Sequence, residues 1–142
     1  SPASRQQPGP PQPCPDSVVT VAAIPSAPQF TVGSKPLLRL GVGNAGPVPC
    51  TRDLDAALQE LVVLAGDGVT RLWSSNDCYP GDTDDVRTLA AGETVLFELT
   101  WAGRTSQPGC SAERTVVPAG DYHLVARLGT LTGPAAGFRM VP

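Results

Sequence analysis

Residues 93 to 101 read ETVLFELTW, and they alternate. Val95, Phe97, Leu99 and Trp101 fall on one face of an extended chain, while Thr94, Glu98 and Thr100 mostly occupy the other. A period of two belongs to a half-buried strand, because successive side chains leave opposite faces of a pleated backbone. The same spelling returns at Asp121 to Leu128 (DYHLVARL), where Tyr122, Leu124, Ala126 and Leu128 point inward and His123 and Arg127 outward. A chain patterned this way builds sheets, and a sheet with one apolar face needs a second layer to cover it.

Shorter runs, separated by Pro and Gly, extend the pattern. Ser17 to Ala23 is rich in β-branched residues and is closed by Pro25 and Pro28. Leu37 to Val42 sets Leu38, Leu40 and Val42 against Arg39 and Gly41. Leu61 to Ala65 and Val69 to Trp73 flank Gly66-Asp67-Gly68, which has the residues of a hairpin turn. Leu89-Ala90-Ala91-Gly92 leads into the strand at 93–101, and Phe138 and Met140 alternate with Arg139 in a closing strand. Thr51 to Leu61 is ambiguous. Thr51 suits a helix cap, Asp53 and Asp55 suit its positive end, and Leu54, Ala57, Leu58 and Leu61 have helical spacing. The expectation is an all-β fold, an antiparallel sandwich of about seven strands with one helical turn near 52–57. Leu38, Leu40, Val95, Phe97, Leu99, Trp101, Tyr122, Leu124 and Leu128 should form its core. Truncating a central Phe97 to alanine would then cost ~3–5 kcal/mol.

Gly41-Val42-Gly43-Asn44-Ala45-Gly46 fits the spelling G-x-G-x-x-G. That fingerprint holds a pyrophosphate on the free N–H groups of a helix N-terminus. Here Pro47 and Pro49 follow, removing donors and fixing φ, so no helix opens. The stretch reads as a strand end that turns away, with Gly and Asn tolerating positive φ. No cofactor is expected.

Cys14, Cys50, Cys78 and Cys110 lie 36, 28 and 32 residues apart. None has the C-x-x-C spacing of zinc or redox motifs, and the chain has 1 His. An even count at wide spacing reads as two disulfides formed in an oxidising compartment. Four cysteines allow three connectivities. If strands 17–23 and 37–42 run antiparallel, Cys14 and Cys50 meet at one end of the sandwich. Cys78 is then left for Cys110, in the long 102–119 loop.

Residues 1–13, SPASRQQPGPPQP, are proline-rich with no large apolar side chain, and read as a disordered or extended spacer before a folded domain at 14–142. The chain opens on Ser1 without a start methionine or apolar leader, which suggests that a signal peptide or membrane anchor has been removed. No apolar run approaches the ~18 residues of a transmembrane helix. The net charge is −3 and comes without a basic cluster, so nucleic acid is an unexpected partner.

Candidate chemistry is sparse. Asp77, Asp82, Asp84 and Asp85 crowd one segment, but the glycine and glutamate frame of a calcium loop is missing, so a solvated acidic loop is expected rather than a metal site. His123 sits on an outward strand face with no fixed nucleophile, and no G-x-S-x-G or H-E-x-x-H motif occurs. Catalysis is not expected. Trp73 and Trp101 could stack on a glycan, yet both lie on patterned strands and suit the core better. A strand edge or a cluster of loops at one end of the sandwich is the expected binding surface.

GVGNAGPV is similar to the strand end of secreted Ig-like domains. LAAGETVLFELTW, FELTWAG and PAGDYHLVARL resemble the closing half of the BsuPI-type proteinase-inhibitor domain, over about residues 36–129. The resemblance implies an Ig-like sandwich, and inhibition of a serine proteinase as its namesake activity. The four cysteines and the spacer depart from that pattern and point to export. The expected function is therefore a non-catalytic, extracytoplasmic protein-binding or accessory module of a bacterial cell envelope, secreted or membrane-tethered. Proteinase inhibition is the alternative, and calcium or glycan binding a further one.

Overall fold

A computed structural model describes residues 10–78, 84–110 and 113–142. Among them the chain forms twelve strands: β1 (Gln12–Pro13), β2 (Val19–Pro25), β3 (Gln29–Thr31), β4 (Leu37–Asn44), β5 (Cys50–Asp53), β6 (Gln59–Ala65), β7 (Arg71–Ser74), β8 (Val86–Leu89), β9 (Thr94–Thr100), β10 (Gly120–Leu128), β11 (Leu131–Thr132) and β12 (Ala136–Val141). Period-two runs have become strands because each places an apolar face against a second layer. One layer is ordered β2-β4-β9, the other β3-β12-β10-β6-β7 with β11 beside β10, and a small third sheet is ordered β1-β5-β8.

The two large layers form an all-β sandwich whose strand order is Ig-like, with the first strands divided between the sheets. A second Ig-type feature supports this. Tyr122, at the start of β10, donates its hydroxyl to the carbonyl of Pro118 at 2.5 Å, the arrangement called a tyrosine corner. Not all pairings are antiparallel, since β1 pairs with β5 and β3 with β12 in parallel.

The core lies between the layers. Leu38, Leu40 and Val42 of β4 meet Val63, Trp73, Leu124, Leu128, Phe138 and Met140 from the opposite sheet. Trp101 is fully buried, 5.7 Å from Trp73 and 6.2 Å from Phe138 between ring centroids. Both tryptophans are therefore core residues. The Trp101 indole N–H is satisfied by the Arg104 carbonyl at 3.0 Å, as a buried donor requires.

The sulfur atoms pair as Cys14–Cys50, with Cα atoms 4.9 Å apart, and Cys78–Cys110, at 5.0 Å. The first bridge is buried against the core. The second joins the segment after β7 to the loop between β9 and β10, with Cys78 exposed.

Several sequence expectations are corrected. The strand count exceeds seven because β1, β3 and β11 have two or three residues each, too few to show a period, and because β5 and β8, four residues each, were not expected as strands. Gln12 and Pro13, expected in the spacer, pair with Cys50 and Thr51, so ordered structure starts before Cys14. No helical turn forms at 52–57. Cys50–Asp53 is a strand, held by the bridge to Cys14 and by pairing with β8, and only a hydrogen-bonded turn follows at 55–59. The strand expected at 17–23 begins at Val19, after a 3-10 turn at Asp16–Val18.

β4 runs on through Gly43 and Asn44, and neither adopts positive φ. Gly43 is needed instead for space, because a Cβ there would come within 2.5 Å of Thr20 Oγ1. Asn44 is buried. Its amide donates to the carbonyls of Val48 and Leu89, and its Oδ1 accepts from Gly46 N–H. Val95, Phe97 and Leu99 do share an inward face, but they are only partly buried. Their strand is the outermost of its sheet, so no neighbour covers the far side. No helix among the described residues is long and apolar enough to cross a membrane.

Candidate functional site

The incomplete cover over β9 leaves a groove of about 420 Å³ between the two layers. Leu40 and Leu61 form part of its floor, Phe97 and Leu99 line the β9 side, and Leu54 and Ala56 line the opposite wall. Each is there for a local reason. Leu40 and Phe97 are cross-strand partners on the inward face. Leu54 is fully buried where the chain leaves β5, and its N–H bonds to the Asp85 carbonyl. Ala56 stands exposed in the turn that leads to β6.

The polar lining is acidic. Asp55, Glu60 and Asp85 line the groove together with Gln59, Ser75 and Asn76, while Glu98, on the outward face of β9, borders it. Arginines flank the carboxylates from outside. Arg39 donates to Glu98 at 3.1 Å, Arg87 grips Asp85 with two donors at 2.9 and 3.1 Å, and Arg127 lies 3.7 Å from Glu60. Arg87 also stands over the Phe97 ring, 5.2 Å from its centroid. Three of those carboxylates are thus already paired with arginine, and what the groove offers a partner is its apolar lining.

The acidic residues singled out in the sequence are not gathered into one site. Asp77 is buried, paired with Arg71 and hydrogen-bonded by the Ser106 hydroxyl, so it ties the end of β7 to the β9–β10 loop. Asp85 is engaged by Arg87, Asp84 is exposed, and Asp82 lies outside the described residues. No group of three or more His, Cys, Asp or Glu among the described residues is placed to hold a metal ion.

His123 faces outward on β10, opposite Leu64 and Gly137. Its nearby charge adds slightly to an effect set mainly by the hairpin turn. There Asp67 accepts hydrogen bonds from the Thr70 hydroxyl and from the N–H groups of Thr70 and Val69. These bonds hold the Asp67 carboxyl down at about 2.

The groove itself was not foreseen. Leu54 and Leu61 lay in the stretch of ambiguous pattern, and alternation marked Phe97 and Leu99 as inward without showing that one side is open. The only usable signal was the general expectation of a strand edge.

No family model matches this chain, and no curated protein matches it. Among solved structures, it is similar to a β-glucosidase, EmGH1, from Erythrobacter marinus, with a TM-score of 0.49 and 13% identity over 87% of this chain and 15% of that one. It is also similar to the alkylpurine DNA glycosylase AlkC of Pseudomonas fluorescens, with a TM-score of 0.48 and 9% identity over 88% of this chain and 31% of that one. A third likeness is to Spo0M, a sporulation control protein of Bacillus subtilis, with a TM-score of 0.46 and 12% identity over 88% of this chain and 50% of that one. The chain thus spans half or less of the length of each, and these likenesses assign it no activity.

Proposed function

We propose that this domain is a non-catalytic, extracytoplasmic protein-binding module of a cell envelope, and that it holds its partner in the groove beside β9. The observation that carries the reading is the groove's apolar lining, with Leu40, Leu61, Phe97 and Leu99 reaching it beside an open sheet edge. Partly buried apolar side chains at an open sheet edge gain stability when a partner covers them, at roughly 25 cal/mol per Å² removed from water. Two disulfides among the described residues are compatible with an oxidising compartment. The groove is lined in part by β4, β6 and β9, which are hydrogen-bonded strands and leave little to order on binding, which favours affinity.

The test uses an Ala56→Trp variant. Ala56 is exposed on the groove wall, so a large side chain there fills the groove without entering the core. The unaltered domain should capture a protein from envelope extract, and Ala56→Trp should lose that protein while keeping its melting temperature. Equal capture by the two forms would place the partner elsewhere and sink the reading.

A further inference from the structure

β7 is the last strand of its sheet, and Ser106 closes it. The Ser106 N–H donates to the Leu72 carbonyl at 2.9 Å, and the Ser106 hydroxyl oxygen accepts from the Ser74 N–H at 3.2 Å. One residue of the β9–β10 loop thus occupies two backbone groups of β7, and a loop laid over an edge keeps other chains from pairing with it. Ser106 is buried, and its hydroxyl proton goes to Asp77, which Arg71 also pairs.

The two ends of this loop are held by different means. Toward the core, Trp101 and Val117 are buried, the Trp101 indole donates to the Arg104 carbonyl, and the Val117 N–H donates to the Gly103 carbonyl. Toward the surface, none of residues 107–110 is buried, and the ties are the Gly109 N–H to the Asp77 carbonyl at 2.9 Å and the Cys78–Cys110 bridge. Cys14 and Cys50 belong to the core cluster, whereas Cys78 and Cys110 do not. Cys110 has a φ of 56° and is the one non-glycine residue with positive φ among the described residues. A side chain crowds its own backbone in that region, so the bridge fixes the chain in a conformation that it gains by leaving.

We propose that the Cys78–Cys110 bridge is a redox-operated clasp, opened by a protein dithiol of the C-x-x-C class, and that opening it frees residues 106–110 from β7 while the rest of the sandwich stays folded. The inference does not depend on the groove beside β9. In the first step a thiolate of the dithiol attacks Sγ of Cys78, the exposed partner. A bond forms to that sulfur, the Cys78–Cys110 bond breaks, and Cys110 leaves as a thiolate that takes up a proton. The second thiol of the dithiol, as its thiolate, then attacks the reductant's own sulfur in the mixed disulfide, and Cys78 leaves and is protonated in turn. Two electrons pass to the domain, which ends with two thiols, and the reductant ends as a disulfide. Cys14 and Cys50, 5% and 4% exposed, give a thiolate no approach. Once the bridge is open, residues 107–110 keep few ties to the fold, and the Leu72 carbonyl and Ser74 N–H lose their cover when Ser106 moves away.

Hydrogen exchange on the folded protein tests the proposal. Dithiothreitol is raised until Cys78 and Cys110 alone are alkylated, and the amides are then compared with those of the oxidised protein. Exchange at Ser74, Ser106 and Gly109 should quicken by about tenfold or more, while β4 and β10 keep their protection. The Cys78→Ser/Cys110→Ser double variant should show the same pattern; selective reduction of the folded protein decides the matter if that variant does not fold. A thioredoxin whose second active-site cysteine is replaced by serine cannot complete the exchange, so it should be trapped as a mixed disulfide on Cys78. The proposal fails if the three amides exchange no faster, if protection is lost across β4 and β10 as well, or if Cys14–Cys50 opens at the same reductant concentration. It fails equally if the mixed disulfide forms on Cys110 or does not form.

Discussion

Truncating Leu40 to alanine should cost more than truncating the larger Phe97, although the two side chains sit opposite each other across β4 and β9. Leu40 is 2% exposed and packed between the layers. Although Leu40 reaches the groove floor, its side chain is buried and its loss removes packing on nearly every side, and buried Leu→Ala changes cost ~3 kcal/mol. Phe97 is only partly buried and faces the groove. Removing its ring forfeits ~1.5–2 kcal/mol of apolar transfer, but the space opens into solvent and adds no cavity term. Loss of the Arg87 contact adds ~0.5 kcal/mol at an exposed site, for a total near 2 kcal/mol. The sequence-based figure of ~3–5 kcal/mol for Phe97 is thus lowered by its position at an edge. Urea unfolding of both variants, with disulfides intact and slopes shown to be equal, measures the difference. If Phe97→Ala proved the costlier by about 1 kcal/mol or more, the groove would be closed in solution and the partner site would lose its basis.

Three further outcomes follow from local geometry. Asp67 is held at about 2 in the folded protein against 3.8 ordinarily, so its contribution is present above the unfolded value and is lost as pH falls toward about 2; Asp67→Asn should flatten the melting temperature between about pH 5 and 2, and an unchanged slope would refute this. Tyr122→Phe removes the hydroxyl that closes the tyrosine corner and should destabilise by ~1 kcal/mol in the same urea assay, with an effect below a few tenths showing the bond to be dispensable. Under graded reductant, timed alkylation should find Cys78 and Cys110 before Cys14 and Cys50, because Cys78 is exposed whereas Cys14 and Cys50 are 5% and 4% exposed; simultaneous appearance would mean that global unfolding precedes reduction.

Much of the fold was legible because side-chain period and turn chemistry are local. Alternation in 93–101 and 121–128 identified β9 and β10, and glycines around Asp67 identified the β6–β7 hairpin, where Gly68 takes φ 73°. The misreading at 52–57 has an equally physical cause. Capping residues and helical spacing are weak local preferences, and at Cys50–Asp53 they are overridden by a disulfide, by pairing with β8 and by β1 on the other side.

By itself, then, the sequence determined that this chain must form strands, which side of each long strand is apolar, and that Trp73 and Trp101 belong inside. Those properties depend on neighbours two residues apart. Only the tertiary structure decided how completely each inward face is covered. Leu40 and Phe97 look alike in the pattern, yet one lies on a central strand and the other on an edge, because β8 pairs with β5 and leaves β9 open. The groove, its acidic rim and the free edge all follow from that one choice of strand partner, which depends on residues far apart in the chain.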